Sequence, residues 1–370
     1  MTVNSICIVA LDAYPLLTAS TEAYYVGGES VQHVLLAHAW RDMGIDVSMI
    51  VHDQGQPAVQ TVSGIRTYSM CARDSGIRVV RFFHPRMTSL VRALKTCDAD
   101  VYYQSPAGVD TGIVSWFCQR RGKRFVFRIA SDVNCIPGKQ LITYWRDRKL
   151  FEYGLRHADL IASQTHYQQS LLRENYQLES EVVNMAADIA TPCEPGEKDI
   201  DVLWVSNFRE VKRPEAVLEI ARALPNVRFS MVGGMLPGGE AYYKKVAAEA
   251  RLLPNITVHG AVPYHEVGKL YDRARLFLNT STVEGFPNSF LQAWMRGVPV
   301  VSTFDPDGLV NRESLGVAAS SIAELSPIIR NLLGNATYLL ETGERAHQFA
   351  IREFSATGVA KRYLDLLDAQ

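Results

Sequence analysis

NTSTVEGFPNSFLQAWMRGVPVVST, residues 279–303, reads as one strand, loop, helix and strand in succession. An apolar run ends at the loop Ser281 to Pro287, Phe290, Leu291 and Trp294 share a helical face, and Gly297 precedes a second apolar run. Two short strands joined through a helix make a parallel βαβ unit. Outward from it, DVLWVS, VRFSMVG, NITVHG, RLFLNTS and VPVVST are the strands of the second half, with helices near 214–223, 240–252, 264–273 and 288–296. SICIVA, DVSMIV, ADVYYQ, RFVFRIA, DLIAS and EVVNM repeat the plan in the first half. There, Val31, Val34, Leu35, Ala39 and Met43 line one face of a helix after Gly28.

The stretch IATPCEPGEKD, residues 189–199, breaks the periodicity with two prolines and a glycine and is the expected linker. The expected architecture is α/β with two doubly wound, Rossmann-like domains over 1–190 and 200–350. The chain after Gly316 reads as mainly helical, and the last helix, 355–370, carries Val359, Tyr363, Leu364 and Leu367 on a face that needs a partner, with Ser355 as its cap.

With 370 residues, 47% hydrophobic and 21% charged, the chain is long enough for two cores and has a globular composition. A net charge of -1 gives no general attraction to nucleic acid. Six scattered cysteines show no metal-ligand spacing and read as reduced thiols. MTVNSICIVALDAYPLL lacks a basic leader and a run long enough to span a bilayer, so it is expected to be the first strand of a cytoplasmic chain.

Open α/β sheets bind ligands beyond the carboxyl ends of their strands, which makes the residues just after strands the candidates. Glu284 lies in the loop before a helix N-terminus, where dipole and N–H groups favour anions. It reads either as an acid complementing that dipole or as a ligand for sugar hydroxyls. Gln292 follows one turn into the helix, about 5 Å along its axis, as a site residue or a solvated amide. In SNFREVKRP, Arg209 supplies a planar fork and Lys212 a point charge, a pair suited to two phosphates, although surface loops commonly carry such residues. Gly27 and Gly28 allow close backbone approach to a ligand, or make a tight turn. Asp132, after the strand RFVFRIA, reads as an acceptor-side acid/base or as a cap.

The segment from Glu284 to Gln292 resembles the E-x7-E signature of the retaining GT-B glycosyltransferases of group 1, with glutamine in place of the second acid. The resemblance implies two domains facing a cleft and a terminal helix that crosses back to the first domain. It implies that Glu284 contacts the donor sugar, with Gly285 and Phe286 supplying amides and Asn288, Ser289 and Phe290 near phosphates and ribose. Gln292 then meets the ribose without the charge-assisted bonds of an acid. Arg209 and Lys212 meet the diphosphate, with Asn207 as an auxiliary and the glycine turn of Gly27 and Gly28 facing the same phosphates. Gly234 and Val262 fall where the family forms its base pocket. The histidine that many members carry near Asp132 has no counterpart, which leaves Asp132 as the candidate to orient the acceptor.

The implied reaction is sugar transfer from a UDP- or GDP-sugar to a glycan, lipid-linked or small-molecule acceptor, with retained configuration, in polysaccharide or glycoconjugate synthesis. No cofactor beyond the donor and no metal is expected. The triplets Asp98-Ala-Asp100 and Asp305-Pro-Asp307 read as a loop and a turn rather than a metal site. The basic runs QRRGKRF and YWRDRK, with aromatic neighbours, leave room for peripheral membrane contact, and no nucleic-acid motif accompanies them. Two other readings stand beside transfer: a sugar-nucleotide epimerase on a similar fold and a catalytically silent nucleotide-sugar-binding subunit.

Overall fold

The computed structural model describes residues 3–20, 27–77, 80–189, 198–235 and 238–369. They form two compact units, one from residues 3–19, 27–77, 80–186 and 356–369, the other from Ser20 and residues 187–189, 198–235 and 238–355. Most of the proline-rich stretch 189–199 lies outside the described residues.

The first unit is built on β1 (Ser5–Val9), β2 (Asp46–His52), β3 (Val59–Val62), β4 (Ile65–Met70), β5 (Val101–Gln104), β6 (Arg124–Arg128), β7 (Leu160–Ser163) and β8 (Glu181–Val182). Their order is β3-β4-β2-β1-β5-β6-β7-β8, parallel except for the β3–β4 hairpin. Successive β1, β2 and β4 build outward on one side and β5 to β8 on the other, so the order reverses between β1 and β5. The hairpin is absent from the sequence reading. Its turn is Ser63-Gly64, both at positive φ (48° and 78°), the conformation that suits a two-residue hairpin.

The second unit has β9 (Ile200–Val205), β10 (Phe229–Val232), β11 (Ile256–Gly260), β12 (Ala274–Asn279), β13 (Val300–Ser302) and β14 (Gly316–Ala318), all parallel in the order β11-β10-β9-β12-β13-β14. The order reverses between β9 and β12. Helices Pro214–Ala223, Glu240–Ala250, Tyr264–Asp272 and Asn288–Trp294 connect the strands. They fall close to the helices expected from periodicity, whereas β14 was hidden because a three-residue strand that begins with a glycine carries no alternation. Trp204, Phe208, Leu276, Leu278 and Val301 are buried in its core. Gly233, at φ 151°, is required because a Cβ there would lie 1.8 Å from the Ser206 carbonyl oxygen.

Chain entry and exit of the second unit lie side by side, with the Ala187 N–H donating to the Phe354 carbonyl at 2.8 Å. Ser355 then separates helix Ala336–Phe354 from helix Ala356–Asp368 by a single residue. The last helix belongs to the first unit and buries Val359, Tyr363 and Leu367, with Leu364 half-buried. It covers a second face of helix Gly28–Asp42, which explains why that helix buries Gln32, His33, Leu36 and Trp40 as well as the apolar face expected. Trp40 Nε1 donates to the Ala360 carbonyl at 3.0 Å, and Arg124 Nη1 to that of Leu367 at 2.7 Å.

Beneath this helix the first unit encloses a charged group. Arg128, only 1% exposed, pairs through Nη1 with Glu29 Oε2 at 3.1 Å, and Ser105 Oγ donates to the same oxygen at 2.6 Å. Tyr103, Tyr363 and Trp40 pack edge to face around it. Burial, and then the Arg128 charge, hold the His33 imidazole down to about 3, so it stays neutral inside the unit.

Candidate active site

In the second unit, the loops after β9 and β12 leave the sheet where the strand order reverses, the place at which open α/β sheets bind ligands. The two loops are laced together. Trp204 Nε1 donates to Thr280 Oγ1 at 3.1 Å, Thr280 Oγ1 donates to the Lys212 carbonyl at 2.7 Å, and the Thr282 N–H to the Val211 carbonyl at 2.9 Å. This lacing carries Lys212 to Glu284, with Nζ 2.6 Å from Oε1 and both side chains about a tenth exposed (13% and 11%). Asn279 Nδ2 approaches the same oxygen at 3.4 Å. An ammonium has three donors and a carboxylate about four acceptor positions, so the pair retains capacity for a ligand. Arg209, one residue before the short turn Glu210–Lys212, buries its Nε with no hydrogen-bond partner among the described residues. A buried guanidinium nitrogen in that condition is costly unless something else accepts from it.

The remaining candidates of this unit lie along the same edge. Asn207 follows β9, Gly234 follows β10 and Val262 follows β11. The Gly234 carbonyl accepts from the Phe208 N–H at 3.1 Å, which ties the first two loops. Gly285 and Phe286 continue from Glu284, and Asn288 and Ser289, both half-buried, begin the next helix. Phe286 turns its ring into the unit, 5.2 Å from Phe354 and 6.3 Å from Trp294. Phe290 is a core residue: its ring is fully buried against Phe277 and Trp294, and its N–H donates to the Pro287 carbonyl at 3.0 Å. It supports the helix and presents no side chain to a ligand.

The comparisons with known proteins agree with this geometry. Residues 191–316 match the model of a family described as glycosyl transferases group 1. The chain has the GT-B fold of glycosyltransferases. Sucrose-phosphate synthase of Thermosynechococcus elongatus superposes with a TM-score of 0.77 at 17% identity, over 99% of this chain and 100% of that one. HepE of Anabaena, solved in complex with UDP-glucose, gives 0.74 at 15% identity over 99% and 100%. A glycosyltransferase of Rickettsia africae gives 0.70 at 14% over 99% and 98%. No curated protein sequence matches the chain.

Within the GT-B fold, the glutamine at 292 is not a loose surface amide. Its Oε1 accepts from the Tyr271 hydroxyl at 3.2 Å, and the Tyr264 hydroxyl also bonds to it. Burial pushes Tyr264 up to about 12, although the bond to Gln292 acts in the other direction. The tyrosines were missed in the sequence because they stand at the two ends of helix Tyr264–Asp272, more than twenty residues before Gln292, and nothing local marks the contact. Asp132, in the first unit, accepts from Gln168 Nε2 at 2.9 Å at the start of a short turn, which gives it a structural partner. Gly27 caps and Gly28 begins helix Gly28–Asp42, on the carboxyl side of β1.

The acids of the two triplets have local partners. Asp100 accepts from the N–H groups of Asn4 and Ser5, both at 3.1 Å, and Asp305 from Val310 and Asn311 at 2.7 and 3.3 Å. Among the described residues, no three His, Cys, Asp or Glu side chains are grouped as a metal ion requires. The five described cysteines are free.

Proposed function

We propose that the chain is a retaining glycosyltransferase that moves a sugar from a UDP- or GDP-sugar to an acceptor hydroxyl without a metal, as a cytoplasmic enzyme of polysaccharide or glycoconjugate synthesis. The observation that carries this reading is the meeting of Lys212 and Glu284 beside the unpartnered Nε of Arg209 at the β9/β12 reversal. Cations suit the diphosphate, and a carboxylate held among them suits sugar hydroxyls rather than a phosphate. The UDP-glucose bound by HepE supports the class of donor.

On this reading Arg209 and Lys212 stabilise the charge that grows on the departing diphosphate, and Glu284 orients the sugar. Double displacement needs a nucleophilic carboxylate about 5 Å from a partner acid. Glu284 is already engaged by Lys212, so front-side attack by the acceptor, with the leaving diphosphate taking the proton, is the mechanism preferred. Replacing Arg209 by alanine removes a phosphate ligand without breaking the Lys212–Glu284 pair. Titration calorimetry with UDP and GDP is expected to show weaker binding of whichever diphosphate the native chain prefers, and turnover is expected to fall about a hundredfold, the scale of one lost oxyanion-type donor. Native affinity and native turnover in that variant remove Arg209 from the site.

Gln292 is assigned to the ribose. Gln292→Ala is expected to weaken nucleoside diphosphate binding by about 1 kcal/mol, the usual net value of one hydrogen bond. Gln292→Glu is expected to tighten it, because a carboxylate accepting from Tyr271 still offers lone pairs to ribose hydroxyls. Equal affinity of the native chain for ribose and deoxyribose forms of the same diphosphate contradicts the assignment.

A further inference from the structure

Two segments of the first unit expose large apolar side chains together with cations. Phe83 is 60% exposed, Leu141 87%, Tyr144 61% and Trp145 77%. The first segment follows β4 and the second follows β6, so both leave the carboxyl edge of the same sheet. They are tied to each other: the Arg146 guanidinium lies 3.8 Å from the centre of the Phe82 ring, and Phe82 and Phe83 stack edge to face at 4.8 Å. Phe82 and Ile142 pack on the core below, which anchors the patch while its outer residues stay in water.

Residues 80–88 and 139–149 carry six Lys or Arg and one acid, Asp147; Arg146 holds that acid at 2.6 Å and Lys149 pairs with Glu152 at 3.1 Å, so the excess positive charge is that of Arg81, Arg86, Lys139 and Arg148. Arg86 and Arg148 donate to the carbonyls of Arg73 and Ile142 rather than to acids. We propose that this patch seats the first unit on an anionic bilayer surface, with Trp145, Tyr144, Leu141 and Phe83 in the headgroup boundary and the arginines against lipid phosphates. Exposed apolar clusters ringed by polar groups mark interaction surfaces, and Trp and Tyr combined with Lys and Arg match the interfacial region of a membrane. The charge balance selects an anionic surface over a neutral one. Among the described residues no helix is long and apolar enough to cross a membrane, so the contact is a surface one. The other basic run, QRRGKRF, does not join the patch: Arg120 stacks on Trp116, Lys123 pairs with Asp98, and Arg124 holds the last helix.

The inference stands apart from sugar transfer and is tested without it. The full chain is sedimented with vesicles of phosphatidylcholine alone and of phosphatidylcholine with phosphatidylglycerol, at low and high salt. Binding is expected only with phosphatidylglycerol, and salt is expected to weaken it. A triple variant, Phe83→Ser, Leu141→Ser and Trp145→Ser, is expected to bind about tenfold or more weakly while melting at the native temperature, since all three side chains are exposed. Leu252→Ser with Leu340→Ser, at exposed leucines of the second unit, is expected to change nothing. The proposal is overturned if the native chain ignores phosphatidylglycerol, if the triple variant binds like the native chain, or if the control pair loses as much. A triple variant whose oligomeric state changes while its vesicle binding does not assigns the face to a second copy of the chain, which also overturns it.

Discussion

Glu284→Gln is expected to leave the chain folded and able to bind a nucleoside diphosphate, while lowering turnover with the full nucleotide-sugar by about a hundredfold or more through lost orientation at the reacting carbon. The amide keeps an oxygen for Lys212 and Asn279 but leaves the largely buried Lys212 ammonium without its counter-charge, so the cost to stability is about 2–3 kcal/mol, less than that of a fully buried pair broken outright. Two measurements are compared: diphosphate affinity by calorimetry and donor turnover by release of diphosphate. Loss of both in proportion means that the pocket has been damaged. Retention of both means that the Lys212–Glu284 pair is a structural tie between two loops and that the sugar is held elsewhere.

Arg128→Met is expected to destabilise the first unit by about 3–5 kcal/mol, because it strands the Glu29 carboxylate under the last helix. Against a total of about 5–15 kcal/mol for a domain, that is a large fraction. For a unit of this size it corresponds to a fall in melting temperature of roughly 10 °C. The double variant Arg128→Met with Glu29→Gln is expected to recover much of the loss, since no buried charge is then left alone. A single variant that melts within the error of the native chain shows that Glu29 finds solvent without Arg128. Glu29 lies in the first turn of the helix that Gly28 begins.

The alternation of strands and helices was legible because buried parallel strands are short apolar runs and their connecting helices carry a clear 3.6-residue period. The hairpin β3–β4 was not, because Val59–Val62 is an edge strand without buried residues and so carries no apolar signature. The edge positions of Arg209, Lys212 and Glu284 follow from their places just after strands. That Lys212 and Glu284 touch does not, since 72 residues separate them and Thr280 and Trp204 make the junction. For Phe290 the helical period and the resemblance point different ways: the period puts its ring on the apolar face, where the structure buries it, while the resemblance implies a place near phosphates and ribose. Arg128 was readable in principle. An arginine inside the run RFVFRIA needs a buried counter-charge, and Glu29 beside the glycine turn was available.

The central claim is that the second unit's β9/β12 edge delivers a sugar from a nucleotide diphosphate carrier. The most direct measurement follows the native chain by NMR with each of a set of UDP- and GDP-sugars and simple glycan acceptors, reading phosphorus for the carrier and the anomeric proton for the sugar. The account predicts release of free UDP or GDP together with a glycoside of the same anomeric configuration as the donor. A nucleotide-sugar that returns with altered sugar stereochemistry, or one that is bound and never consumed across the whole set, contradicts it.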